Sequence, residues 1–155
     1  MVKYFKGDLF QSDCNIVCHQ CNCKGAYNAG IAKTIRTLYP VAYTVFMERY
    51  NSGEAKLGEI DIVPFVKADG NIRYIINMYA QYAYGYGDKH TDYVAFQTCL
   101  NQVRNFIDLF NNDVIKIGFP AKIGCGLAGG DWNIIRKIIE DTFADSKYHV
   151  EVWEI

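Results

Sequence analysis

The stretch that most constrains this chain runs from Val114 to Phe143. It opens with an apolar run, Val114-Ile115-Lys116-Ile117-Gly118-Phe119-Pro120, which predicts a buried strand. It continues through Ile123-Gly124-Cys125-Gly126-Leu127-Ala128-Gly129-Gly130-Asp131, with four glycines in seven positions. From Trp132 to Phe143 the pattern is amphipathic and predicts a helix, with Asp131 placed to cap it. A strand, a glycine loop and a helix N-terminus bring free N–H groups and the helix dipole to one spot. The expectation is a phosphate-binding loop.

The rest of the chain supplies partners for this unit. Val2 to Lys6 and Asn15 to Cys18 predict two short strands. A polar loop from His19 to Gly30 follows, then helical spacing at Ile31, Ile35 and Leu38, with Pro40 ending one helix and starting the next. Glu59–Val66 and Arg73–Met78, separated by Ala68-Asp69-Gly70-Asn71, predict a hairpin. A tyrosine-rich loop from Tyr79 leads to Thr91, taken as the cap of a long helix with an apolar stripe. Tyr148–Ile155 alternates and predicts the last strand. About six strands with helices between them give an α/β fold, a three-layer α/β/α sandwich. The hairpin makes its central sheet mixed. Residues 1–155 are expected to form one domain. Ligands of open α/β sheets sit at the carboxyl ends of strands, so the loops after Cys18, Met78 and Pro120 are expected to meet at one site.

Composition excludes several classes. Apolar residues make up half the chain and the formal net charge is -1, which argues against disorder and against a basic nucleic-acid footprint. No run reaches membrane-spanning length and Met1-Val2-Lys3 opens no signal peptide, so the cytosol is the expected compartment and six free thiols are expected rather than disulfides. Gly124-x-Gly126-x-x-Gly129 matches a dinucleotide fingerprint literally, but too few βα units remain downstream for a nicotinamide fold. The lysine-containing P-loop pattern is absent. Cys14, Cys18, His19, Cys21 and Cys23 form one cluster without the second ligand pair of a zinc site. Cys14 and Cys18 are read as core residues on one strand face, and no metal is expected.

His19 is placed at the end of a strand, in a loop with Asn22 and Asn28, and its titration range suits proton transfer. Asp131 is a helix cap that can also stand beside a bound phosphate. Asp8 is a turn residue or an acceptor for an exocyclic amine. Trp153 is a core residue or a stacking platform for a base.

Taken together, these stretches resemble the macrodomain family. Gly7-Asp8-Leu9-Phe10 is similar to the family's early segment, whose aspartate binds the adenine amine. Val17-Cys18-His19-Gln20-Cys21-Asn22 with Asn28-Ala29-Gly30-Ile31-Ala32 resembles the loop that holds the distal ribose and first phosphate. Ile123-Gly124-Cys125-Gly126-Leu127 resembles the second phosphate loop, and Trp153 the aromatic position on adenine. The resemblance departs from the common pattern: His19 replaces the first asparagine of the first loop, and only Gly30 remains of a glycine triplet. The His-x-x-Asn-Cys version, with Ala-Gly-Gly-Asp-Trp after the second loop, is similar to the branch of ADP-ribose 1''-phosphate phosphatases. That implies a hydrolase with His19 and Asp131 as catalytic residues. It implies ADP-ribose or ADP-ribose 1''-phosphate as ligand, bound by Asp8, Leu9, Asn22, Asn28, Gly30, Ile31, Ile123, Gly124, Cys125, Gly126, Leu127 and Trp153. A sister group of ADP-ribosyl-protein glycohydrolases uses a lysine after the middle strand and an aspartate after Gly-Cys-Gly-Leu, positions assigned here to Met78 and Ala128. De-ADP-ribosylation of protein or nucleic-acid ends, or reading ADP-ribose without turnover, are the alternatives. No cofactor and no membrane or nucleic-acid partner are expected. An ADP-ribosylated protein is a candidate partner, and a monomer is expected.

Overall fold

The computed structural model describes residues 2–84, 90–111 and 114–155. Residues 85–89 of the tyrosine-rich loop, and 112–113, lie outside the described residues. The elements are β1 (Val2–Lys6), a short 3-10 turn (Leu9–Gln11), β2 (Ile16–Asn22), α1 (Gly30–Leu38), α2 (Pro40–Asn51), β3 (Ile60–Val66), β4 (Ile72–Gln81), α3 (Tyr93–Ile107), β5 (Lys116–Pro120), α4 (Trp132–Thr142) and β6 (His149–Glu154).

One six-stranded sheet has the order β1-β6-β5-β2-β4-β3. β3 pairs antiparallel with β4, and every other pairing is parallel. The hairpin turn follows its sequence: Gly70 has φ +85°, and the Asn71 N–H donates to Asp69 Oδ1 at 2.9 Å. Val17, Cys21 and Ile75 pack with Ile35, Ala42 and Phe46 of α1 and α2 on one face. Ile16, Cys18, Ile76 and Ile117 pack with Phe96, Leu100, Ile135 and Ile139 of α3 and α4 on the other. This is the expected three-layer sandwich with a mixed sheet.

Two strands run further than their apolar residues suggested. β2 continues to Asn22, and β4 continues to Gln81. Gln20 and Cys21 pair in register with Met78 and Tyr79, so His19 lies inside a buried strand and not in a loop. Polar side chains survive there because the fold supplies their hydrogen bonds. The helix cap also shifts by one residue. Asp92 accepts from the Ala95 N–H at 2.9 Å, and Thr91 serves elsewhere. Cys14 and Cys18 occupy opposite faces, because Cys14 precedes β2, where its thiol donates to Glu151 Oε1 at 3.3 Å.

Candidate functional site

The carboxyl ends of β2, β4 and β5 meet around a cleft with two compartments. The first, about 210 Å³, is lined by Cys21, Asn22, Ala26, Tyr27, Asn28, Ala32 and Tyr84. The second, about 310 Å³, lies between Gly30 and Ile31 at the start of α1 and Ile123, Gly124, Gly126 and Ala128 of the glycine loop. Gln20, Ala29, Gln81 and Leu127 border both, which makes the cleft continuous. A wider hollow of about 690 Å³ lies at the other end of the sheet, near Ile16 and Ile72, and is lined by none of the catalytic or ligand-binding residues expected from sequence.

The glycine loop is closed by its own main chain. The Gly130 N–H donates to the Gly124 carbonyl at 2.8 Å, and the Gly129 N–H to that of Gly126 at 3.0 Å. A Cβ at Gly130 would stand 2.6 Å from the Gly124 oxygen, so only glycine allows this closure. Gly124 itself has φ +74°. The loop is pinned from outside by the segment before α3. The His90 and Thr91 N–H groups donate to the Ala128 carbonyl, and the Thr91 hydroxyl to the Gly124 carbonyl at 2.6 Å. With these bonds made, the N–H groups of Gly124, Gly126, Leu127 and Ala128 meet no acceptor among the described residues. Across the compartment, α1 begins at Ala29 with no side-chain cap, leaving its first-turn N–H groups open. Two sets of unpaired donors therefore face one space, a favourable environment for anionic oxygens.

The floor of the cleft has a fixed hydrogen-bond polarity. Gln81 Nε2 donates to the Ala83 carbonyl at 2.8 Å, so Gln81 Oε1 must receive Gln20 Nε2, also at 2.8 Å. The Thr91 hydroxyl is committed to the Gly124 carbonyl and so accepts from Gln20 Nε2 at 2.9 Å. Gln20 Oε1 is left buried without a partner among the described residues, 2.7 Å from where a Cβ on Gly124 would sit.

The opposite wall is held by side chains. Asn22 Oδ1 accepts from the N–H groups of Lys24 and Ala26, and its Nδ2 donates to the Ala26 carbonyl at 2.7 Å. Asn22 thus borders the cleft but mainly ties its own loop. Asn28 is exposed on the same wall, with no hydrogen-bond partner among the described residues.

His19 departs most from the sequence expectation. It is 0 % exposed, and Nε2 lies 2.6 Å from Asn77 Oδ1 and 2.9 Å from the Tyr27 hydroxyl. Asn77 points its oxygen here because Nδ2 donates to the Ala42 carbonyl and to Asp61 Oδ2. Nε2 of His19 must then carry the proton. Asp61 in turn accepts from the Tyr79 hydroxyl at 2.6 Å and pairs with Arg49 at 2.7 Å. Burial pushes the His19 imidazole down to about 4, against a small upward pull from Asn77 and Asp61, so it is neutral at pH 7. The ring is fully buried and has no exposed surface from which to attack a substrate directly. Its visible task is to hold Tyr27, a wall residue, through the hydroxyl.

Asp131 does cap α4, with Oδ1 accepting from the Asn133 N–H at 2.8 Å. It is exposed, and the helix it starts covers the sheet face opposite His19, so the two do not form a pair. Ile31, Ile123, Gly124, Gly126, Leu127, Gly30, Asn22 and Asn28 border the cleft as the sequence suggested. Asp8, Leu9, Cys125 and Trp153 line neither compartment. Asp8 caps the 3-10 turn by accepting from the Phe10 N–H. Leu9 is 2 % exposed and fills the space above Gly118, so its side chain is core. Cys125 turns its thiol to the Ile123 carbonyl. Trp153 stacks on Phe5 at 4.9 Å and donates to Glu151 Oε1. Gln20, Gln81, Thr91, Tyr27 and Lys122 were missed. Only pairing register reveals Gln20 and Gln81, because they extend strands beyond their apolar cores. Gln81, not the fully buried Met78, stands at the end of β4, and Ala128 follows Leu127.

A family profile described as Macro domain matches residues 18–139. An uncharacterized 17.5 kDa protein of enterobacteria phage T4 is 30% identical over 161 residues, covering 99% of this chain and 97% of that protein. A protein of Meyerozyma guilliermondii named ADP-ribose 1''-phosphate phosphatase is 26% identical over 161 residues, covering 90% of this chain and 92% of its own. Among solved structures, the macrodomain of Mycobacterium tuberculosis DarG superposes with a TM-score of 0.82 at 22% identity, covering 99% and 97%. Thermosipho africanus DarTG in complex with ADP-ribose does so at 0.76 and 18%, covering 96% of this chain and 40% of that one. With the profile spanning both walls of the cleft and the sandwich shared throughout, the chain belongs to the macrodomain family.

Proposed function

We propose that this macrodomain binds ADP-ribose in the two-compartment cleft and hydrolyses ADP-ribose 1''-phosphate to ADP-ribose and phosphate. The observation that carries the reading is the pair of open N–H sets, from the glycine loop and the uncapped start of α1, facing one space. A diphosphate fits their charge, and the same donors stabilise charge on a phosphoryl group in transfer. The adjoining compartment takes the distal ribose, with the free amide of Asn28 as its hydrogen-bonding partner. The names of the yeast relatives support the reaction, at 26% identity. In that reaction a water oxygen bonds to phosphorus, the bond from phosphorus to the C1'' oxygen breaks, and the sugar keeps a hydroxyl. Asp131, at the end of the glycine loop and outside both compartments, is the carboxylate assigned to take the water's proton, through the oxygen that does not cap α4. His19 supports the reaction from behind, as a positioning residue for Tyr27.

A second reading, a binding module without turnover, is favoured by one observation. Among the described residues bordering the cleft there is no carboxylate and no imidazole. Phosphate release from ADP-ribose 1''-phosphate separates the two. The wild-type chain is expected to release phosphate, and Asp131→Asn to lose about 100-fold in rate while binding ADP-ribose unchanged. Binding of ADP-ribose without any release favours the module, and failure to bind ADP-ribose overturns both readings.

A further inference from the structure

We infer that Lys122 selects the anionic part of the ligand, as a free cation held at the rim of the phosphate compartment. The inference deepens the ADP-ribose reading and rests on it for the identity of the ligand. Among the described residues, Lys122 alone is a non-glycine with a positive φ, at 58°. The turn needs that conformation: the Lys122 carbonyl accepts from the Cys125 N–H at 2.9 Å, and that of Pro120 from the Ile123 N–H at 3.2 Å. It does not need a lysine, since glycine or asparagine enters the left-handed region at lower cost. The side chain is exposed and makes no ion pair or hydrogen bond with any described residue. It gives nothing to the fold that the structure records.

Its location gives the charge a use. Lys122 borders the compartment that holds the open N–H groups of the glycine loop, and on its other side a hollow of about 210 Å³ beside Phe5 and Trp132. Among the described residues bordering the cleft, it carries the only charged side chain. Neutral N–H donors bind any polar oxygen, whereas an unpaired ammonium discriminates for net negative charge. A diphosphate-linked nucleotide gains from it, and a neutral nucleoside does not. A left-handed backbone carrying an unpaired cation beside an anion site is the kind of local cost that a binding function accounts for.

The test is calorimetry on the purified chain with ADP-ribose, adenosine and inorganic pyrophosphate, together with thermal unfolding. Lys122→Asn and Lys122→Gly are expected to weaken ADP-ribose binding about tenfold, to leave Tm unchanged or raised, and to flatten the salt dependence of affinity. Lys122→Arg is expected to stay within about threefold of wild type, and adenosine affinity to be the same in all four proteins. Equal ADP-ribose affinity in wild type and the neutral variants overturns the inference, as does a parallel loss for adenosine. If the wild type binds no ADP-ribose, the functional reading falls. Lys122-dependent binding of pyrophosphate then still upholds the anion site, and its absence overturns that too.

Discussion

On the side of β5 the cleft is made of main chain. Gly124, Gly126, Leu127 and Ala128 present N–H groups, and the shape of the loop depends on the Gly130-to-Gly124 closure and on Thr91. On the side of β2 it is made of side chains. Asn22 folds its loop with three hydrogen bonds, and Tyr27 is anchored to His19 and Asn77. The first wall is sensitive to atoms added, the second to atoms removed. The first is built to meet a charge, and the second to give a neutral sugar a defined edge.

Mutations can break this division. The largest expected effect is Gly130→Ala, whose methyl meets the Gly124 oxygen at 2.6 Å and opens the loop. It should cost about 3 kcal/mol in urea unfolding and lower ADP-ribose affinity about 100-fold. The second is pH dependence. The folded-state pKa of His19, about 4, lies below its ordinary 6.5, so its contribution to stability is complete above pH 6.5 and is lost as pH falls towards 4. The loss should reach about 3 kcal/mol, and His19→Gln should flatten that part of the stability profile. Third, Asn22→Ala leaves two N–H groups and a carbonyl unpaired and should cost about 2 kcal/mol, with protection of residues 23–29 against hydrogen exchange falling accordingly. The smallest is Leu127→Ala. Its side chain is 47 % exposed, so stability should stay within about 0.5 kcal/mol. A large loss for Leu127→Ala, or none for Asn22→Ala, would show that the two walls are not built as described.

The same contrast explains what could be read from the sequence. Glycines at 124, 126, 129 and 130 announce a backbone-built wall directly, because no other residue has their freedom. The apolar strands and the Asp69-Gly70-Asn71 turn announced the sheet and its hairpin. His19, Gln20 and Asn22 misled, because a polar run normally marks a loop. Here His19 and the Gln20 amide nitrogen find partners distant in sequence, in Asn77, Gln81 and Thr91, and pairing of that kind leaves no local signal, whereas Asn22 bonds within its own loop. Asp131 was legible as a cap, and Asp8 as a turn residue, for the opposite reason, since caps and turns are local devices.

The six cysteines have a practical consequence. Five are buried, and burial pushes the Cys14 and Cys99 thiols up to about 12. Cys125, half-buried on the glycine loop, is pushed up to about 11 by burial and by the Asp131 charge, which outweigh Lys122. Thiolate is the form that oxidants and alkylating reagents attack, and it is scarce at all three positions near neutral pH. A chain rich in cysteine, with one in the middle of its phosphate loop, is therefore slow to take up a thiol-directed probe while folded, and such reagents report on its unfolding rather than on its cleft.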